Sequence, residues 1–347
     1  MSTEREKIKK YIKLSQNENP FGASPFALKA IEENYHFVYR YPDVVHEDFK
    51  SKLAQKYNVT PDNIVIAAGS VEVMDMAIKA FVCLNENVVT SEKTFVAYKI
   101  LAGIHRRECK LAKLLNNTVS VENIISLVTD KTKLIFIANP NNPTGTIISH
   151  DSLQKLLNIL PPDIYVVNDE AYVEYVSDTS YPNSLELQKS FPNLIVLRTF
   201  SKIYGLAGLR VGYAITHPDT KNLLIQNKTP FSINSLAHAA ALAALDDHEF
   251  VTKSVSINDT ERTFLREAFE GFGFNVTPSQ SNFICIEFSS LLEKEELNQY
   301  LLDKGIIVRD LGPFGIEKGL RVSVGKPEEN KHLVKCLGEY LKIELPS

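Results

Sequence analysis

Short apolar runs separated by longer amphipathic stretches are the feature that most restricts how this chain can fold. Residues 64–68 (IVIAA), 87–90 (NVVT), 133–138 (KLIFIA), 164–167 (IYVV) and 194–197 (LIVL) are brief and rich in valine and isoleucine. Such runs predict strands buried on both faces of a parallel sheet. Between them, residues 71–84 and 151–160 carry apolar residues at three-to-four spacing, which predicts helices. The alternation predicts an α/β fold whose large domain has a mostly parallel central sheet, with ligands at the carboxyl ends of its strands. After about residue 250 the pattern changes. It predicts a helix over 261–272, a strand over 283–288, a helix over 291–303, and strands near 306–308 and 320–324. That is a smaller α+β domain. The expected division is an N-terminal segment, 1–40, a large domain, 41–250, and a small C-terminal domain, 251–347.

Composition narrows the function. The 347 residues suffice for two domains without a metal or disulfide staple. A net charge of −4, from 38 basic and 42 acidic residues, argues against a nucleic-acid-binding surface. The 4 cysteines (Cys83, Cys109, Cys285, Cys336) include no CxxC pair, which disfavours zinc and fits a reducing cytoplasm. The start, MSTEREKIKK, lacks the apolar stretch of a secretory signal, and Lys7 to Lys10 reads as a solvated start. No apolar run approaches the ~18 residues of a membrane span. The expectation is a soluble cytoplasmic protein without nucleic-acid or membrane partners. The 8 histidines are scattered, so neither a metal centre nor a catalytic histidine is expected. Residues 246–249 (DDHE) read as a solvated helix end, because consecutive residues on one turn point different ways.

Chemistry concentrates just after the predicted strands. KLIFIA is followed by Asn139-Pro140-Asn141-Asn142-Pro143-Thr144-Gly145, which is either a polar turn or a rigid loop offering an amide to a cleft. The run at 164–167 leads into Asn168-Asp169-Glu170-Ala171-Tyr172. Adjacent carboxylates there suit a metal site, an acid/base pair or a solvated junction. The run at 194–197 leads into Arg198-Thr199-Phe200-Ser201-Lys202 and then Gly205 to Arg210.

Taken together, these residues meet the needs of one cofactor, pyridoxal 5′-phosphate. It requires a lysine amine for a Schiff base, a carboxylate at its ring nitrogen, donors at its phenolic oxygen and a phosphate cup. Lys202 supplies the first and Asp169 the second. Asn142 and Tyr172 supply the third, and Thr199, Ser201 and Arg210 the fourth. The turn Gly69-Ser70, opening the helix at Val71, adds backbone N–H groups.

The ordered motifs NPNNPTG, DEAY and SKxxGLAGLRxG resemble the fold-type I aminotransferases of the aspartate aminotransferase superfamily. NENPFG (17–22), RYPD (40–43), DEAYVEY (169–175), GIIVRD (305–310) and LRVSVG (320–325) narrow the resemblance to the histidinol-phosphate aminotransferases, over roughly residues 12–330. The resemblance implies an aspartate-aminotransferase-like fold and pyridoxal-phosphate-dependent transamination. The expected reaction takes L-histidinol phosphate and 2-oxoglutarate to imidazole-acetol phosphate and L-glutamate. Aromatic or broad-specificity aminotransferases and phospho-amino-acid decarboxylases share the cofactor motifs.

Residue by residue, the resemblance makes Lys202 the Schiff-base lysine and Asp169 the ring-nitrogen partner. Asn142 and Tyr172 hold the phenolic oxygen, with catalytic roles for Lys202, Asp169 and Tyr172. Tyr41 of RYPD is implied to reach the cofactor phosphate of a neighbouring subunit, which makes the protein a homodimer. Arg309 and Arg321 hold the substrate's anionic end, and Asn19 and Asn142 are implied to face substrate. Two departures stand out. Val71 occupies a position where the family often has a polar residue, and Phe95 replaces the stacking tyrosine of Pro-Thr-Tyr.

Overall fold

A computed structural model describes residues 11–342. The signal-peptide and solvated-start readings, which concern residues 1–10, lie outside them. The large sheet contains β2 (Ile64–Ala67), β3 (Asn87–Ser91), β4 (Glu108–Ala112), β5 (Thr132–Ala138), β6 (Tyr165–Asp169), β7 (Leu194–Thr199) and β8 (Gly212–Ile215). It is 7-stranded, in the order β2-β8-β7-β6-β5-β3-β4. The pairs β3–β4, β3–β5, β5–β6 and β6–β7 are parallel, whereas β8 runs antiparallel to both neighbours.

The central strands are buried on both faces, as their aliphatic sequences require. One face packs Ile64, Ile135, Val166 and Leu194 against helices, and the other packs Val65, Phe136, Val167 and Ile195. The mostly parallel α/β sheet is thus the expected one, with two strands that the sequence patterning did not reveal. β4 is an edge strand, half exposed, whose Glu108 and Lys110 interrupt the apolar signal. β8 follows a glycine-rich loop and reads Gly-Tyr-Ala-Ile, with a single β-branched residue, so its signal is weak.

A 4-stranded sheet of order β12-β13-β10-β9 forms the C-terminal part. Its strands are β9 (Asn275–Thr277), β10 (Phe283–Glu287), β12 (Arg309–Asp310) and β13 (Gly319–Ser323). Helices Leu291–Asp303 and Pro327–Leu341 pack on it through Leu297, Leu301, Leu333 and Leu337. The N-terminal chain joins this part: β1 (Ile12–Lys13) pairs in parallel with β11 (Ile306–Ile307), and Leu14 enters its core.

The helix expected over 261–272 is the end of a 24-residue helix, His248–Gly271. Its first half is polar and β-branched, which hides it from apolar periodicity. The solvated-end reading of residues 246–249 holds for Asp246, His248 and Glu249, which are exposed, whereas Asp247 is buried as the helix cap. The Asp247 carboxylate accepts from Phe250 N at 3.2 Å and from Ser24 Oγ at 2.6 Å, tying the N-terminal segment to the helix start. Asp247→Ala removes these bonds and a longer one from Phe26 N at 3.5 Å, and should cost about 1–3 kcal/mol of unfolding free energy, read by urea denaturation. Asp247→Asn, which keeps an acceptor, should cost less.

Candidate active site

The carboxyl ends of β2, β5, β6 and β7 open on one cleft, where a parallel sheet presents its loops. A cavity of about 350 Å³ there is lined by residues including Ser70, Val71, Phe95, Asn142, Asp169, Tyr172, Thr199, Ser201, Lys202, Arg210, Arg309 and Arg321. The structure therefore gathers almost every residue singled out from the sequence. Two lie elsewhere. Asn19 turns away to donate to Ile203 O at 2.7 Å and Ser254 Oγ at 3.2 Å, a structural tie that does not line the cleft. Tyr41 lies outside the cleft, 83% exposed, on a surface with Val38, Phe231 and Leu236.

Asp169 ends β6 and is 5% exposed. Its Oδ2 accepts from Tyr98 Oη at 2.7 Å and its Oδ1 from Ala171 N at 3.2 Å. Burial pushes its carboxyl up to about 6, against the lowering effect of the Tyr98 hydrogen bond. Tyr98, which sequence reading missed, stacks on Phe136 at 4.8 Å and meets Phe95 edge-on at 5.6 Å. Its signal was its place one helical turn beyond Phe95.

Lys202 follows β7; its Nζ donates to Gln16 O at 3.1 Å and lies 5.6 Å from the Tyr172 ring centroid. The Tyr172 hydroxyl accepts from Asn17 Nδ2 at 3.0 Å. Asn17, at the start of NENPFG, thus faces the cleft, as does Glu18 beside it. Asn142 Oδ1 accepts from Arg321 Nη1, and its own amide nitrogen makes no hydrogen bond among the described residues. The rigid-loop reading of NPNNPTG holds, because Asn141 bonds Thr94, Lys93 O and Thr144 while Asn139 Oδ1 accepts from Ile148 N at 3.0 Å.

At the other end of the cleft the donors converge. Ser201 N donates to Thr199 Oγ1 at 3.1 Å, Thr199 Oγ1 to Ser201 Oγ at 3.0 Å, and Arg210 Nη1 to Ser201 Oγ at 3.3 Å. Helix Ser70–Phe81 points its N-terminus at the same spot. Gly69 caps it at φ +78°, and a Cβ there would come within 2.3 Å of Arg210 Nη2. Val71 brings no polar side chain, so this end offers Ser70, Thr199, Ser201, Arg210 and backbone N–H groups.

The profile of the family described as aminotransferase class I and II matches residues 9–337. The chain belongs to that family. Histidinol-phosphate aminotransferase 2 of Pseudomonas aeruginosa is 39% identical over 330 residues, covering 95% of this chain and 89% of the relative. Histidinol-phosphate aminotransferase 1 of Idiomarina loihiensis is 40% identical over 326 residues, covering 94% and 88%. The crystal structure of histidinol-phosphate aminotransferase from Sinorhizobium meliloti in complex with pyridoxal-5′-phosphate has a TM-score of 0.90 at 26% identity, covering 98% of this chain and 93% of that one. The aminotransferase fold expected from the sequence is therefore the fold observed, and the chain is a pyridoxal-phosphate-dependent aminotransferase.

The cleft fits that cofactor on its own chemistry. A buried carboxylate suits a protonated ring nitrogen, and a hydroxyl, guanidinium and helix-start cup suits a phosphate. Among the described residues no cluster of His, Cys, Asp and Glu could hold a metal ion, and no helix is long and apolar enough to cross a membrane.

The Asp169 environment has a consequence for pH. With a folded pKa near 6 and an unfolded value near 3.8, the folded apoprotein binds the extra proton. Its stability contribution is complete below about pH 4 and is lost as pH rises through 6, by an amount of order 3 kcal/mol. Asp169→Asn apoprotein should therefore be more stable than wild type at pH 8 and show no such gain at pH 4, by thermal denaturation. The same variant should lose about 10³-fold in transamination.

Proposed function

We propose that the chain interconverts L-histidinol phosphate plus 2-oxoglutarate and imidazole-acetol phosphate plus L-glutamate, a step of histidine biosynthesis. One observation carries the reading: Arg309 and Arg321 enter the cleft beside Asn142 and Tyr172, with the Arg321 guanidinium buried and its Nε without a partner. A guanidinium binds a carboxylate or a phosphate bidentately, so one seat serves both substrates. The relatives at 39% and 40% identity carry that activity in their names.

Bound pyridoxal phosphate supplies an electron sink for the charge left when the substrate's α-carbon loses its proton. Asp169 holds a proton at the ring nitrogen, where its negative charge is offset in turn. Asn142 and Tyr172 orient the phenolic oxygen, and Phe95 presents a ring face to the pyridine. Thr199, Ser201, Arg210 and the start of helix Ser70–Phe81 anchor the phosphate. The Lys202 amine would hold the cofactor between turnovers and, when free, would take the substrate's α-proton as general base. The domain limits 1–40, 41–250 and 251–347 remain our division of the chain. All four cysteines are free, which suits a reducing compartment, and we assign the enzyme to the cytoplasm.

The test mixes holoenzyme with histidinol phosphate, phenylalanine, tyrosine and phosphothreonine and follows loss of the cofactor's bound absorbance. Histidinol phosphate should react at the highest kcat/KM. Preference for an aromatic amino acid, or release of carbon dioxide, would overturn the reading. Borohydride reduction should leave the cofactor on the peptide that contains Lys202; label on another lysine would displace that assignment.

The homodimer belongs to the same proposal. Tyr41 is exposed beside Phe231, with ring centroids 4.9 Å apart, among Val38, Tyr39, Val44 and Val45, an apolar surface that a second copy would cover. There Tyr41 reaches the neighbour's cofactor phosphate. Mixing Tyr41→Ala with Lys202→Ala subunits should place both defects in one site and restore activity in the other. A mixture no more active than its parents, or a fully active monomer, would count against shared sites.

A further inference from the structure

Arg309 and Arg321 are direct Cα partners across the antiparallel pair β12–β13. Like charges opposite each other repel unless something stands between them. The nearby carboxylate is already engaged, since Asp310 Oδ1 accepts from Lys294 Nζ at 3.1 Å and from Gly312 N at 3.0 Å. Arg321 donates to Asn142 Oδ1 and, through Nη2, to Ser15 O at 2.8 Å, while its Nε is unpaired. The Arg309 side chain makes no hydrogen bond or ion pair among the described residues.

What the two cations share is a ring. The Cζ of Arg309 and the Cζ of Arg321 each lie 5.6 Å from the Phe314 centroid. Both distances fall within the ~6 Å over which an aromatic face attracts a cation. Phe314 is itself buried, packed with Cys285, Leu311 and Ile316 and partly buried Val96. A tight turn fixes it, through Phe314 N to Leu311 O at 2.9 Å and Gly315 at φ +82°. Ring and arginines line the same cavity.

We propose that Phe314 is a positioning residue that makes this seat selective for dianions such as a phosphate monoester, by holding both guanidinium groups beside one ring at the cavity wall. A monoanion neutralises one of the two converging charges, whereas a dianion neutralises both. Burial and the Arg309 charge together draw the Arg321 pKa down to about 10, as two cations sharing a desolvated corner should. The seat itself rests on the proposed substrate reading, which the experiment below can separate from the role of Phe314.

The test uses holoenzyme, whose cofactor fills the phosphate cup, with inorganic phosphate and acetate as competitors against 2-oxoglutarate at pH 8. Phe314→Leu should weaken phosphate inhibition about tenfold and acetate inhibition less than threefold, while Phe314→Tyr, which keeps the ring, stays within about twofold of wild type. In an Arg309→Gln background, Phe314→Leu should add less than about twofold, because the ring acts through that cation. Should Phe314→Leu fail to fold, Phe314→Met fills a similar volume without a ring and reads the same quantity. Equal losses for phosphate and acetate, or an undiminished loss in the Arg309→Gln background, would overturn the proposal. If phosphate follows the expected pattern while histidinol phosphate is not turned over, the substrate reading falls and the role of Phe314 stands.

Discussion

Taking the Asp169 carboxylate out of water at the end of β6 is costly, and much of the cleft is arranged around that cost. An ionised carboxylate in an apolar interior shifts its pKa or finds partners. Asp169 does both: its carboxyl is pushed up to about 6, and it accepts from Tyr98 and from the Ala171 backbone. The Tyr98 hydroxyl can reach it because the ring is stacked on Phe136 of β5, the neighbouring strand. The same ring meets Phe95 edge-on, so the support of the carboxylate and the placement of Phe95 are one piece of packing.

Behind the cleft, an ion pair relates the strands that carry Asp169 and lead to Lys202. Glu170 Oε2 accepts from Arg198 Nε at 3.0 Å and Nη2 at 2.8 Å, and Glu170 N donates to Leu197 O at 2.8 Å. The Arg198 guanidinium also lies 4.7 Å from the Tyr57 ring centroid. Such a pair, buried on the carboxylate side and satisfied from several directions, fixes register more than it adds stability. The carboxylate therefore ends one strand and the lysine follows its neighbour, and the two strand ends are cross-braced by Glu170, next to Asp169, and Arg198, on the strand that leads to Lys202. The N-terminal segment closes the arrangement from the other side, through Asn17 on Tyr172, Ser15 O on Arg321 and Gln16 O on Lys202.

Legibility from the sequence followed the strength of the local signal. Strands β2, β3, β5, β6 and β7 were readable because burial on both faces demands contiguous aliphatic residues, and most cleft residues were readable because they stand just past those strands. β4 and β8 were not, one diluted by edge-strand polarity and the other by its glycine and alanine. Within NENPFG the residue picked from the sequence was Asn19: Asn19 and Asn17 are both buried, and only the chain's path sets Asn17 along the cleft. Tyr98 and Phe314 were not singled out, since the ring contacts with Asp169 and with Arg321 arise only in the fold.

By itself the sequence determined the α/β class and the family and singled out a set of candidate side chains, because strand periodicity and short motifs are local properties of the chain. The tertiary structure decided which of those groups share a cleft, which asparagine turns inward, and which carboxylate is driven up in pKa. It also set Arg309 opposite Arg321 across two strands with Phe314 against both. The first three depend on burial and on distance between residues far apart along the chain, and the last on the register of one strand pair, none of which exists until the chain is folded.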